Sequence, residues 1–324
     1  MTPPHTSGRG SDPARLDGQL TALVAAIRHH HLDAATEHDR ALLGGADLRR
    51  LTGGRNNAAY ACRVGEQHAC VKVYRVDERN RAQREWRALT ALAELQLPDA
   101  PKPYGYAPDP VLPVVIMQLV GGAPLGDRAL TDPQLTALHD ALARLFQITP
   151  GALPHVALPA VSTDARHMRR RVEHAYHALT TTNTIRPVAR QALHCWQAWI
   201  ASTDPELLAA STPTVFGRGD PNLRNCLWDG HTLRLIDLEY AGWSDRAHEL
   251  ADLIEHPESR ATPDTTWQIF IDRFDLPNLE HQRLHAARRL LALFWTTRMW
   301  PNPHQPASPR FTAQVHRTTE LVQP

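Results

Sequence analysis

The step between apolar positions changes along the chain, and each change marks a different kind of element. From residue 16 to 43 apolar side chains recur every three or four residues (Leu20, Leu23, Val24, Ile27, then Ala34, Leu42, Leu43), which predicts one or two leading helices. From Leu48 the step shortens to two. Leu48–Thr52, Ala58–Val64 and Ala69–Val76 predict three strands joined by the turns Gly53-Gly54-Arg55-Asn56-Asn57 and Gly65-Glu66, an antiparallel meander. Asp77 stands where a cap would start a helix to about Leu95, with Trp86, Leu89, Leu92 and Ala93 on one face and the stretch Pro98 to Pro103 ending it. A further strand is predicted over Val114–Leu119.

After Gly121-Gly122-Ala123-Pro124 the strand period nearly vanishes, and helices are predicted from Asp132 to about Ile148, over Val161–Thr181, over Pro187–Ser202 and over Asn278–Trp300. The pattern divides the chain into a tail and helical extension (1–45), a strand-rich lobe (46–120) and a mainly helical lobe (121–324). An α+β, bilobal fold is expected. A chain of 324 residues buries roughly three quarters of its unfolded surface, enough for a sizeable core.

Composition narrows the class. With 42% hydrophobic and 21% charged residues the chain reads as an ordinary folded protein, which excludes disorder. No apolar run approaches the roughly 20 residues of a membrane helix, and Met1–Arg15 lacks the apolar core of a secretory signal, so a cytoplasmic location is expected. Cys62, Cys70, Cys195 and Cys226 form no C-x-x-C pair, which argues against a disulfide framework or a cysteine zinc site. His281 and His285, and the run His29-His30-His31, have no evident third ligand. Trp196, Trp199, Trp267, Trp295 and Trp300 read as core.

A net charge of +1 gives no support to nucleic-acid or anionic-membrane binding, but the charges are unevenly spread. Ala46–Thr90 holds ten Lys+Arg against five Asp+Glu, whereas Ala201–Glu258 holds four against eleven. The first segment suits an anion and the second suits cations. Arginine supplies 33 of the 35 basic residues, lysine only Lys72 and Lys102, so Lys72 inside an apolar strand-like run asks for a chemical reason.

The chemistry concentrates in Phe216-Gly217-Arg218-Gly219-Asp220-Pro221-Asn222-Leu223-Arg224-Asn225-Cys226-Leu227-Trp228-Asp229-Gly230 and in Leu233-Arg234-Leu235-Ile236-Asp237-Leu238-Glu239-Tyr240. Two apolar strands flank a turn, with carboxylates and an amide at their ends. A turn over Asp229–Thr232 sets Asn225 opposite Ile236, within one residue of Asp237. An amide and a carboxylate so placed can share Mg²⁺, which takes oxygen ligands and keeps room for phosphate oxygens. Asp220, five residues before the amide, stands where an acceptor hydroxyl would be activated.

These residues resemble the aminoglycoside phosphotransferase and choline kinase superfamily, whose catalytic loop reads H-x-D-x-x-x-x-N and whose metal strand reads I-D-x-E/D. Asp220 and Asn225 fall on the first motif and Asp237 on the second, and Ile236-Asp237-Leu238-Glu239-Tyr240-Ala241-Gly242-Trp243 looks most like the choline and ethanolamine kinase version. The sequence departs from the motif at Arg218, where the family usually carries His or another residue packing beneath the loop. The resemblance spans about residues 48 to 256 and implies a protein-kinase-like fold, with an antiparallel-sheet N-lobe that binds nucleotide and a helical C-lobe that carries the catalytic loop and acceptor site.

It also implies a division of labour: Asp220 as catalytic base, Asn225 and Asp237 as Mg²⁺ ligands, Lys72 gripping the ATP phosphates and Glu85 pairing with it. Gly53, Gly54 and Asn57 would lie over the phosphates, Gln118 and Val120 where such kinases hold adenine, and Glu239, Tyr240 and Trp243 near the acceptor. The implied activity is ATP- and Mg²⁺-dependent phosphorylation of a small-molecule hydroxyl, with a cationic alcohol favoured by the acidic excess and the aromatic neighbours. Two alternatives stand beside it, a kinase acting on Ser or Thr of a peptide in natural-product modification and a nucleotide-binding pseudokinase. The oligomeric state is not written in the sequence.

Overall fold

Strand-forming sequence between Arg49 and Gln118 assembles one five-stranded antiparallel sheet. The computed structural model describes residues 18–52, 57–161, 164–180, 186–299 and 307–322 and divides into two units, 1–120 and 121–324. In the first, α1 (Gly18–His31) and α2 (Glu37–Gly45) precede β1 (Arg49–Leu51), β2 (Ala58–Val64), β3 (Gln67–Val73), α3 (Arg81–Glu94), β4 (Pro103–Ala107) and β5 (Val114–Gln118). The sheet order is β1-β2-β3-β5-β4, so β3 is central and Lys72 pairs with Ala59 on one side and Val115 on the other. Leu20, Leu23, Val24 and Ile27 of α1 bury against Tyr60, Val71, Val73 and Ile116. The helical extension is thus part of the core of this unit.

Helix α3 buries Ala82, Glu85, Ala88, Leu89 and Leu92, a face of helical period that includes one carboxylate among apolar neighbours. Asp77 is not its cap. Asn80, in the left-handed region at φ 49°, occupies the N-cap position, while the Asp77 carboxylate accepts from the Arg79 amide (3.1 Å) and from Arg81 Nε (2.8 Å). The helix ends before Pro98, and edge strand β4, which was not expected from the sequence, starts at Pro103. Its proline is the first strand residue, where no ladder donor is needed, and its register shifts between Pro103 and Gly105.

The second unit contains β6 (Ala123–Pro124), α4 (Asp132–Phe146), α5 (Ala165–Thr180), α6 (Pro187–Ile200), α7 (Asp204–Ala209), β7 (Val215–Gly217), β8 (Cys226–Trp228), β9 (Leu233–Leu235) and β10 (Gly242–Ser244). These are followed by α8 (Arg246–Glu255), α9 (Asp264–Asp272), α10 (Asn278–Arg298) and α11 (Pro309–Val322). The core joins Met168, Val172 and Tyr176 of α5 with Trp199, Leu290, Leu291, Phe311 and Val315. Every residue of α8 from Ala247 to Glu255 is buried. Its polar residues His248, Glu249, Asp252 and Glu255 recur at helical spacing, as on a solvent-facing stripe, yet all of them are buried. Short strands complete the unit: β6-β8-β9 form one sheet and β7 pairs with β10. Among the described residues no helix is long and apolar enough to cross a membrane. Trp199 and Trp267 are core residues as expected, and Trp300 lies outside the described residues.

Candidate active site

In the first unit the central strand delivers Lys72 to a carboxylate. Lys72 Nζ lies 2.6 Å from Glu85 Oε2, with Lys72 8% exposed and Glu85 0%. A buried pair of opposite charges is tolerable where each neutralises the other, and removing one partner leaves an uncompensated charge. Tyr74, two residues further on and just past the end of β3, donates its hydroxyl to Glu85 Oε2, and Lys72 Nζ lies 5.1 Å from the centre of its ring. Tyr74 was not among the expected site residues, although its spacing from Lys72 is a legible signal. Gly53 and Gly54 lie outside the described residues. Asn57 immediately precedes β2 and is half-buried. At the end of β5 the Gln118 amide donates to Lys102 O (2.8 Å) and the Leu119 amide to His68 O (3.2 Å), and Val120 follows as the last residue of the unit.

In the second unit β7 runs into a tight loop. Gly219 has φ 67°, and a Cβ there would collide with the Tyr240 carbonyl, so the turn requires glycine. Asp220 follows. Its Oδ1 accepts from the Asn222 amide (3.3 Å) and its Oδ2 from Asn225 Nδ2 (3.2 Å). Residues Leu223–Asn225 form a single 3-10 turn and β8 begins at Cys226. The β8–β9 register pairs Cys226 with Leu235, and the Ile236 amide donates to Asn225 O at 2.9 Å. Asn225 therefore stands opposite Ile236, one residue from Asp237, as the hairpin spacing predicts. Asp237 has φ 62°, a left-handed conformation that costs most side chains about 1–2 kcal/mol and that Asp tolerates better than most.

Burial raises the Asp220 carboxyl above the ordinary carboxylate range, and the neighbouring Asp237 charge adds to this; the Asn222 amide and the Arg218 charge oppose it, and Glu239 pushes it up slightly further. A carboxylate made more basic in this way is a better proton acceptor near neutral pH. The Asn225 amide nitrogen is turned to Asp220, so its amide oxygen is the atom that could hold a metal. That oxygen and the Asp237 carboxylate are the hard donors that Mg²⁺ takes, so the residues present fit the metal.

Arg218 is 2% exposed beneath this loop, and its main-chain N–H donates to Glu249 Oε2 at 2.8 Å. Glu249 and Asp252, two acids of the enclosed helix α8, were missed in the sequence; their signal is two acids three residues apart shortly after the Asp237 segment. Glu239 is 1% exposed, Tyr240 is half-buried, and Trp243 pairs in β10 opposite Phe216, against whose ring it packs edge-on. Much of the acidic excess between Ala201 and Glu258 is engaged internally. Asp204 pairs with Arg289 (2.6 Å), Asp245 with Arg283 (3.1 Å) and Glu258 with Arg224 (3.3 Å), Glu255 meets three arginines, and Asp229 ties its own turn through the Thr232 amide (2.7 Å).

A central lysine strand with its helix carboxylate, and a loop-and-hairpin carrying Asp, Asn and Asp, define the protein-kinase-like class of fold. Residues 47–294 match the phosphotransferase enzyme family, and the chain belongs to that family. Phosphotransferase activity is the class of function that this membership defines. Among solved structures the fold is similar to a choline/ethanolamine kinase family protein from Mesorhizobium loti, at 19% identity over 92% of this chain and 95% of that one with a TM-score of 0.63. It is also similar to an ethanolamine kinase of Plasmodium vivax (13% identity, 96% and 95% covered, TM-score 0.57) and to a spectinomycin phosphotransferase solved with ADP and spectinomycin (12%, 86% and 89%, 0.57). Comparison with curated protein sequences finds no match.

Proposed function

We propose that this protein transfers the terminal phosphoryl group of Mg-ATP to a hydroxyl of a small molecule. The observation that carries the reading is the loop itself: the Asp220 carboxylate is held 3.2 Å from the Asn225 amide, and Asn225 stands opposite Ile236, beside Asp237. Asp220 orients the acceptor hydroxyl and takes its proton as the oxygen attacks phosphorus, and the leaving oxygen departs with ADP. Asn225 and Asp237 hold Mg²⁺, which when bound neutralises phosphate charge. Lys72, steadied by Glu85 and Tyr74, binds the phosphates, and Gly53, Gly54, Asn57, Gln118 and Val120 are assigned to the rest of the nucleotide. No covalent enzyme intermediate is required, because positioning and charge neutralisation supply most of the rate.

The solved relatives with bound ADP or spectinomycin support a nucleotide and a small-molecule acceptor. Glu239, Tyr240 and Trp243 remain the residues assigned to the acceptor side. Four of the eleven acids of that run, Asp204, Asp245, Glu255 and Glu258, are engaged by arginine, and the acceptor class proposed is a small-molecule alcohol, a cationic one being favoured by the acids that remain and the aromatic neighbours. The test is ATP turnover with a panel of choline, ethanolamine, an aminoglycoside, a neutral sugar and a Ser/Thr peptide. Acceptor-dependent ADP release with one of the small alcohols supports the reading, whereas transfer to the peptide alone, or no transfer in the presence of bound Mg-ATP, overturns it.

A further inference from the structure

Arg218 is the one place where the catalytic loop departs from the motif, and the structure gives it a distinct set of contacts. The side chain is 2% exposed, and Nη2 points at two carbonyl oxygens of the loop, Asp220 O and Asn222 O, each at 3.4 Å. Those two carbonyls flank Pro221, so one donor spans the turn that presents Asp220. Nε and Nη1 make no hydrogen bond among the described residues, which leaves the guanidinium's hydrogen bonding concentrated on the loop. The charge is embedded among acids, since Asp220, Asp252 and the Glu249 that accepts the Arg218 amide all lie around it, with His256 nearby.

A second buried arginine of the same unit provides the contrast. Arg283, 6% exposed, donates to Leu207 O (2.7 Å) and Ala210 O (3.2 Å) and pairs with Asp245 (3.1 Å), joining α10 to the end of α7 and to the cap of α8. It ties helices together, and none of its hydrogen bonds or ion pairs among the described residues goes to the catalytic loop. Arg218 ties a loop to itself. A planar guanidinium on a long stem can reach two carbonyls from below, where a short imidazole or an ammonium on a flexible stem would reach fewer or hold them less firmly.

We infer that Arg218 is a positioning residue for phosphoryl transfer, fixing the Asp220–Asn222 turn from beneath so that the Asp220 carboxylate and the Asn225 amide keep their mutual geometry. The inference rests on the proposed function for the role of Asp220, but the brace itself does not. Without it the loop stays attached through β7 and β8 but samples other turns, so turnover falls while nucleotide binding, which uses other residues, is kept.

The experiment compares wild type, Arg218→Met, Arg218→Lys and Arg283→Met by steady-state kinetics, by thermal melting, and by hydrogen exchange of the amides in 219–225. Arg218→Met is expected to lower kcat at least about 100-fold with KM for Mg-ATP within about threefold, and to raise exchange in 219–225 at least about tenfold; Arg218→Lys recovers part of both. Arg283→Met lowers Tm at least as much, yet leaves kcat per folded molecule and exchange in 219–225 near wild type. Equal exchange in 219–225 for Arg218→Met and Arg283→Met overturns the brace, and this outcome is readable even without activity. A loss of kcat that merely follows Tm in both variants overturns the positioning role. An inactive wild type whose loop still loosens only in Arg218→Met counts against the proposed function and supports the brace.

Discussion

Glu85 in the first unit and Glu255 in the second are both 0% exposed, and both are ion-paired, yet their partners differ in kind. Glu85 meets one ammonium, Lys72 Nζ at 2.6 Å, together with the Tyr74 hydroxyl. Glu255 meets three guanidinium groups, Arg260 at 2.9 Å, Arg288 at 2.8 Å and Arg317 at 2.9 Å, and Asp264 joins the same cluster through Arg317. Burial pushes the Glu255 carboxyl up, and the three arginines outweigh it and hold the group below the ordinary range. Planar forks saturate a carboxylate and lock α8, α10 and α11 together, as suits a structural cluster. A compact ammonium beside a carboxylate suits a site where phosphate must also be met. In a chain with 33 arginines and two lysines, the use of lysine at this one buried pair marks the difference between holding a fold and holding a ligand.

The sharpest way to break this comparison is to exchange the cation. Lys72→Arg is expected to lower kcat/KM for phosphoryl transfer at least about 100-fold, nearly as much as Lys72→Ala, because losing one preorganised donor to transition-state charge has that order of effect. Wild-type kinetics in Lys72→Arg would remove Lys72 from the nucleotide site. At the other cluster, Glu255→Gln is expected to destabilise by about 3–5 kcal/mol in urea titrations, since it leaves the buried Arg288, with Arg317 and Arg260 beside it, short of its counter-charge, while kcat of the folded protein stays unchanged. Glu85→Gln should do the reverse, lowering activity at least about tenfold with a smaller loss of stability. Similar stability losses for both Glu variants, with activity unmoved in each, would erase the distinction.

A smaller effect sharpens the structural half through pH. Burial first, then the charges of Arg218 and Arg260, lower His256 from 6.5 to about 3, and its Nδ1 accepts from the Glu258 amide at 3.2 Å, consistent with a neutral ring. The unfolded chain takes up this proton first as pH falls, so the stability is fully present above pH 6.5 and is lost on the way down to about 3. The slope cannot exceed about 1.4 kcal/mol per pH unit for one proton. Glu255, whose pKa is depressed instead, adds its own loss below 4.5. Urea midpoints at pH 7 and pH 5 should therefore differ in wild type and differ less in His256→Asn; equal pH dependence in the two would exclude His256 as the source.

The legible parts of the sequence are those with a strong period or a fixed spacing. The meander, α3, α4 and α10 follow from periodicity, and the Asn225–Ile236 register follows from a single turn. Less legible were elements whose pattern is set by their surroundings. Enclosed α8 buries acids whose helical spacing is that of a solvent face, and β4 begins at a proline that reads as a breaker until a neighbouring strand is there to pair with it. Asp77 reads as a cap because caps are local, but its carboxylate went to Arg81 instead. Charge counting is incomplete for a related reason. Asp204, Asp245 and Glu255 of the acidic run pair with Arg283, Arg288, Arg289 and Arg317, which lie tens of residues further along the chain.

The most direct test is Asp220→Asn, assayed for phosphoryl transfer from Mg-ATP to the preferred alcohol alongside calorimetric binding of the nucleotide. A carboxamide keeps the size and planarity of the carboxylate and cannot accept the proton, so kcat is expected to fall at least about 100-fold with nucleotide affinity within about threefold of wild type. Near-normal transfer by Asp220→Asn would contradict the assignment of Asp220 as the base, and with it the proposed mechanism.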